Sequence, residues 1–297
     1  MTAYRSLYVM GTRLEVVFPG MDDEMADAVF NRISIRMKED EKKLSIYHPD
    51  TLFSKINRQA SQEAFQLDEP SFQLISDLMD YSRKTRGFFD PTLGILKKDL
   101  FGESETETET MLTMKAEERI VLNREDMTVK FQHPLVKLDP GGFGKGYGLE
   151  NLKKILFSYK IKDAFISFGD SSVMTIGRHP AGDYWKIGIR NPLNDDENAW
   201  VFQMNEGSVS TSGNSRHNRS RTHKGHIYNP GKQRFETRKS LVSVQGPSAL
   251  DAEVLSTALF VAGENERQLI LENFPQYKAI EIVYLEDIEQ TEIKELN

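Results

Sequence analysis

Four glycines fall within six residues at Gly141, Gly142, Gly144 and Gly146, with Lys145 among them and Asp139-Pro140 directly ahead. A short alternating apolar run, Leu135, Val136 and Leu138, leads in as a strand. Helical spacing at Leu149, Leu152, Ile155 and Leu156 predicts a helix from Tyr147 to about Tyr159. Strand, glycine turn and helix start leave backbone N–H groups free to hold an anion. Glycine lets a phosphate approach the backbone closely, and lysine adds a point charge. The chemistry indicated is a phosphate-bearing ligand such as a nucleotide. The stretch is not a Walker A loop, because Gly146 stands where a serine or threonine would bind magnesium. Its spacing is not that of the dinucleotide fingerprint either. A tight turn packing helix against strand accounts for the same residues, and both readings stand.

Three further groups carry chemistry. Glu253 and Thr257 are four residues apart, so they share one face of a helix. That helix starts at Pro247-Ser248-Ala249-Leu250-Asp251, with Ser248 as N-cap and Asp251 completing a capping box, and Gly263 stops it. Its surface is apolar nearly all round, which predicts burial. A buried carboxylate needs a partner, either a metal ion or a basic side chain. His226 opens a predicted strand through Ile227-Tyr228 into an Asn229-Pro230-Gly231 turn, with a structural or a catalytic role. The segment from Gly87 to Gly94 places Phe88, Phe89 and Asp90 together. It is either a helix C-cap glycine with an aromatic anchor or the wall of a polar site.

These groups must be positioned by a mixed set of elements. Strands are predicted around Tyr8–Phe18, with helices over Glu24–Leu44, Asp50–Arg58 and Glu69–Thr85. Ser45–Asp50 is a loop, since the residue before Pro49 avoids the helical region. Gly102–Thr110 alternates Glu and Thr and reads as an acidic, solvated loop inserted into a single domain spanning the chain. Ala164–Ile176 is apolar around Phe168–Ser172, and further strands are predicted at Trp185–Arg190, Trp200–Met204 and Leu241–Gln245. Ser208–Asn214 is small and hydroxyl-rich. Arg216–Lys224, with His217 and His223, reads as a basic solvated loop. The 297-residue chain has a net charge of −7, so a nucleic-acid partner is not expected. No run approaches the ~20 apolar residues of a membrane span. There is no cysteine, hence no disulfide or thiolate chemistry. Met1–Arg13 lacks the pattern of a signal peptide, so the chain as written reads as cytoplasmic, or periplasmic if a leader was removed.

In this order the segments resemble the ApbE family of FAD:protein FMN transferases. The resemblance rests on Met10-Gly11-Thr12, Ser45–Asp50, Phe89–Gly94, Asp139–Tyr147, Gly177–Pro192 with Trp185, Thr211-Ser212-Gly213, His226–Pro230 and Pro247–Ala258. It implies an α+β fold of mixed, largely antiparallel sheets packed with helices. It also implies FAD and Mg2+ as ligands, and transfer of FMN to a threonine of an acceptor protein with release of AMP. By the same resemblance Met10, Tyr47, Phe88, Phe89, Asp90, Asp139, Lys145, Ile227 and Tyr228 line the FAD. Glu253 and Thr257 hold the cation with the Gly142–Gly144 backbone, and His226 is catalytic. Asn214, Asn229 and Glu253 stand where the family has aspartates. Asp170-Ser171 replaces a glycine-aspartate pair, and Pro140 an apolar residue. A non-catalytic flavin carrier or regulator, or an FAD pyrophosphatase using water, are the alternatives.

Overall fold

The computed structural model describes residues 2–96, 105–214, 226–285 and 290–297. They group into two compact units: Met1–Glu41, Phe143–Tyr228 and Phe235–Asn297 in the first, Lys42–Gly142 and Asn229–Arg234 in the second. The chain opens in the first unit with β1 (Thr2–Val9) and β2 (Thr12–Pro19), an antiparallel hairpin closed by Met10-Gly11. Both turn residues have positive φ, 52° and 74°, as a two-residue hairpin turn requires. Gly11 adopts this freely. Met10 is held there by Glu41, whose Oε1 accepts its N–H at 2.6 Å. Helix α1 (Asp23–Leu44) follows, turning Val29, Ile33 and Met37 into the core.

The second unit carries α2 (Leu52–Gln59), β3 (Phe65–Gln66), α3 (Glu69–Lys84), α4 (Glu105–Thr113), α5 (Ala116–Arg119), β4 (Ile120–Asn123) and β5 (Thr128–Phe131). Its sheet runs β3-β5-β4, antiparallel throughout. Asp68 caps α3 by accepting the Ser71 N–H. Gly87, at φ 81°, closes that helix by donating its N–H to the Ser82 carbonyl, as the glycine predicted. Two expectations are corrected here. The acidic stretch is helical from Glu105, because Met111 is fully buried and gives the helix an anchor. The predicted strand Leu135–Leu138 reduces to one parallel bridge, Leu93 to Lys137. The buried side chain of Asn57 takes the place of a neighbouring strand. It donates to the Leu138 carbonyl at 3.0 Å and accepts the Leu138 N–H at 2.7 Å.

Back in the first unit come α6 (Gly144–Ser158), β6 (Ala164–Phe168), β7 (Ser172–Ile176), β8 (Trp185–Asn191), β9 (Asn194–Met204) and β10 (Gly207–Gly213). Two short strands, β11 (Tyr228–Asn229) and β12 (Arg234–Phe235), flank a turn. Then follow β13 (Ser240–Gly246), α7 (Ala249–Val261), α8 (Glu264–Glu272), β14 (Lys278–Leu285) and β15 (Gln290–Glu295). An eight-stranded antiparallel sheet in the order β1-β2-β6-β7-β10-β13-β14-β15 organises this unit. One apolar cluster joins β2, β6 and β7 to α1 and α6 through Leu14, Val16, Ile166, Phe168, Met37 and Leu152. A second packs the β8–β9 hairpin through Trp185, Ile187 and Phe202 against Val209 and Ile282. Helix α7 is buried on nearly every face, as its all-round apolarity predicted. Ser248 accepts the Asp251 N–H at 3.2 Å, while the Asp251 carboxylate takes the Tyr277 hydroxyl at 2.5 Å.

The fold is therefore α+β with largely antiparallel sheets, as expected. No helix among the described residues is long and apolar enough to cross a membrane. The basic stretch Arg216–Lys224 lies outside the described residues.

Candidate functional site

The glycine-rich stretch divides into two parts. Gly141 and Gly142 lie in the turn, whereas α6 begins at Gly144, three residues earlier than predicted, so Gly144, Gly146 and Gly148 are helical. Packing explains the glycine at 146. A Cβ there would lie 2.6 Å from the Ala249 carbonyl oxygen and 2.7 Å from Leu250 Cα. Contacts of that length with backbone cannot be relieved by a side-chain rotation, so only glycine lets the start of α6 approach the start of α7 this closely.

That approach builds the site. Glu253, on α7, accepts the Gly146 N–H at 2.5 Å with Oε2 and the Lys145 ammonium at 2.5 Å with Oε1. Its side chain is 4% exposed and that of Lys145 24%. The first turn of α6 thus holds an anion, as its free N–H groups and dipole favour, and the anion is the chain's own carboxylate. Lys145 supplies the partner that a buried carboxylate needs. One turn along α7, the Thr257 hydroxyl meets Ser212 Oγ at 3.1 Å, and Ser212 meets Ser256 at 2.8 Å. A row of hydroxyl oxygens therefore runs beside Glu253.

His226 precedes β11 instead of starting it, and it lies at the surface. Surrounding protein and, secondarily, the Lys145 charge hold its imidazole below its ordinary value of 6.5. A neutral imidazole can accept a proton, which suits general-base work. Ile227 is fixed by its carbonyl, which accepts the Glu236 N–H at 2.8 Å. Tyr228 stands edge-on to Phe235 at 5.5 Å.

Two of the departures named above, Asn214 and Asp170, have a local physical account. Asn214 is buried and donates through Nδ2 to the carbonyls of Glu236 and Arg238, at 2.8 and 3.1 Å. An aspartate has no N–H with which to make these bonds. Asp170, in the β6–β7 turn, has φ 58° beside Gly169 at 65°, a conformation that Asp tolerates better than most residues.

In the second unit, Phe89 is a core anchor, 3% exposed and edge-on to Tyr81. Phe88 instead lines a cleft of about 480 Å3 with Arg86, Asp90, Lys115, Arg119 and Gly231. The Asp90 carboxylate is engaged internally. Oδ1 accepts the Thr92 N–H at 2.9 Å and hydroxyl at 2.6 Å, and Oδ2 takes the Arg119 guanidinium at 2.6 Å. Asp139 donates its N–H to the Pro91 carbonyl at 2.9 Å and accepts the Gly141 N–H at 3.1 Å. Tyr47 sits in the Ser45–Asp50 loop and is 64% exposed.

The structure thus joins Lys145 directly to Glu253 and sets Thr257 one helical turn away. It ties Asp90 to Asp139 through the backbone of Pro91. Residue spacing gives Arg119, Asn57, Glu41 and Ser256 no site role, and it marks Ser212 only as part of a hydroxyl-rich segment. No periodicity tells which polar residue will meet a distant partner.

Glu253 is accompanied by the hydroxyls of Ser212, Ser256 and Thr257, and among the described residues no three His, Cys, Asp or Glu converge as a ready metal cage. Such a set fits a magnesium ion that draws most of its ligands from substrate phosphates and water, and does not fit a closed structural site.

The chain as a whole is similar to several known proteins. A curated FAD:protein FMN transferase of Rhodobacter capsulatus is 25% identical over 271 residues, covering 88% of this chain and 51% of the relative. This chain therefore spans about half the length of that relative. One from Klebsiella pneumoniae is 24% identical over 279 residues, with 88% and 79% covered. Among solved structures, the ApbE protein of Thermotoga maritima superposes with a TM-score of 0.82 at 23% identity, over 98% of this chain and 96% of that one. The flavin transferase ApbE of Vibrio cholerae gives 0.82 at 21%, over 99% and 97%. At these identities the structures establish the fold. The ApbE family model matches residues 10–281, so the chain belongs to the ApbE family.

Proposed function

We propose that this chain transfers the FMN half of FAD to a threonine hydroxyl of an acceptor protein and releases AMP, with Mg2+ as the cation. The observation that carries the reading is the Lys145–Glu253 pair at the start of α6, in the same unit as His226. The relatives' shared name, FAD:protein FMN transferase, supports the same chemistry.

In this reading Lys145 offers its ammonium to the pyrophosphate, whose negative charge grows as the bond to AMP breaks. The acceptor hydroxyl oxygen forms the new bond to the FMN phosphorus, the phosphorus–oxygen bond to AMP breaks, and AMP leaves with that electron pair. His226 takes the hydroxyl proton. Glu253 and Thr257, with backbone of Gly142 and Gly144, would hold the magnesium, which when bound neutralises phosphate charge. On the first unit Met10, Ile227 and Tyr228 are assigned to FAD. On the second, Tyr47, Phe88, Asp90 and Asp139 are assigned to it, while Phe89, expected beside them, is buried against Tyr81 and supports the turn from the core.

The deciding experiment incubates the protein with FAD, MgCl2 and a threonine-bearing acceptor protein, following AMP and covalent flavin together. AMP with labelled acceptor is the expected result. AMP without label would make the chain a pyrophosphatase. Bound FAD with no AMP would make it a carrier, a reading favoured by Glu253 already having a protein partner.

A pH profile provides a second test. Because His226 is held below its ordinary value, its neutral form persists to lower pH than that of a free imidazole. The acid limb of kcat should therefore lie below 6.5, and Lys145→Met should move it upward. Folding linkage has the matching sign. The unfolded chain binds this proton more readily, so the stability supplied by the neutral form is present above the ordinary value and declines as pH drops through it. An acid limb unmoved by Lys145→Met would remove Lys145 as the cause.

A further inference from the structure

We infer that Arg119 is a positioning residue for the Phe88–Thr92 turn, acting through Asp90, and that it couples helix α4 to that turn. The inference rests on the reading that this turn contributes to FAD binding. Phe88 to Thr92 lies in no helix or strand, and its conformation is set by a few backbone bonds together with side-chain hydrogen bonds.

Arg119 makes the central ones. It is 3% exposed, and its five N–H donors match five observed bonds. Nη1 reaches Asp90 Oδ2 at 2.6 Å and Thr92 Oγ1 at 2.9 Å. Nε and Nη2 reach the carbonyls of Met111, Leu112 and Met114, at 3.2, 3.4 and 2.5 Å. The last three lie on carbonyls at and just after the end of α4, that of Met111 also accepting the Met114 N–H. One guanidinium thus fastens the acidic insertion to the aromatic turn.

The turn passes that order onward. Pro91 O accepts the Asp139 N–H, Thr92 O accepts the Lys137 N–H at 3.3 Å, and Lys137 O accepts the Gly94 N–H at 2.8 Å. Both carboxylates assigned to FAD in this unit, Asp90 and Asp139, therefore hang from one frame whose far end is Arg119. Its buried charge is matched by Asp90, each side chain being 4% exposed. A lysine could keep the charge but not the fork, having three donors and no planar geometry.

The test uses Arg119→Lys and the double variant Arg119→Met/Asp90→Asn, which removes both buried charges and avoids stranding one. Amide hydrogen exchange, FAD Kd by flavin fluorescence and Tm are measured on the full chain. In both variants the amides of Thr92, Gly94, Lys137 and Asp139 should exchange at least about tenfold faster, as the loss of charged hydrogen bonds predicts. In Arg119→Lys, which leaves every residue assigned to FAD in place, FAD Kd should rise about tenfold, with kcat at saturating FAD changing by less than about threefold, because Arg119 positions the turn and does not react. Wild-type exchange at those four amides in either variant overturns the inference, as does an unchanged FAD Kd in Arg119→Lys where wild-type protein binds FAD. Should wild-type protein not bind FAD, the functional reading fails while the exchange measurement still decides the role of Arg119.

Discussion

Gly146→Ala is expected to destabilise the first unit by about 3 kcal/mol, roughly 6–12 °C in Tm for a domain of this size. The new methyl would sit 2.6 Å from the Ala249 carbonyl oxygen and 2.7 Å from Leu250 Cα, both backbone atoms. Relieving the clash moves the start of α6 away from α7 and stretches the Gly146–Glu253 bond, a charge-assisted contact worth about 1.5–3 kcal/mol. Alanine's better helix propensity returns only about 1 kcal/mol. Gly148→Ala provides the control. Its Cβ would meet the terminal methyl of Met37 at 2.8 Å, and a flexible thioether chain can move aside. That variant should change stability by less than about 1 kcal/mol, because propensity and contact nearly cancel. Thermal unfolding followed by circular dichroism compares the two. Equal midpoints would show that close helix packing is not why position 146 is glycine.

Divalent cation binding, in turn, is expected to depend on FAD, and Lys145→Met to abolish the dependence. As the chain folds, the Lys145 ammonium neutralises Glu253, so a cation must compete with it for the carboxylate. A pyrophosphate that draws Lys145 away removes the competitor, and the two ligands then bind with positive coupling. Couplings of this kind are worth about 5- to 150-fold, and by linkage the cation must tighten FAD by the same factor. Mn2+ affinity measured by electron paramagnetic resonance should rise at least about tenfold when FAD is added to wild-type protein. In Lys145→Met, Mn2+ should bind the nucleotide-free protein more tightly, and FAD should add little. The same FAD-dependent ratio in both proteins would sink the idea. Absence of Mn2+ binding in either would sink the metal assignment itself.

Several elements were legible from residue spacing. Helices α1, α3 and α7 follow from their apolar patterns, and α7 was expected to be buried because no face of it is polar. Local rules also found Ser248 and Gly87 as caps. Failures came where a tertiary partner overrode a local pattern. The acidic stretch reads as a solvated loop, yet Met111 and the reach of Arg119 hold its second half as a helix. The run at Leu135–Leu138 alternates like a strand, but a side chain, Asn57, supplies its hydrogen bonds in place of a neighbour.

The glycine-rich stretch shows where the boundary falls. Its composition determined that backbone would come close to something and that an anion would be welcome at a helix start, both consequences of missing Cβ atoms and open N–H groups. What came close, and which anion, depended on residues more than a hundred positions away. Only the packing of α6 on α7 places the Ala249–Leu250 backbone against Gly146 and brings Glu253 to Lys145. A sequence records which groups are available along the chain, whereas long-range packing chooses their partners, because a hydrogen bond forms only within about 3 Å.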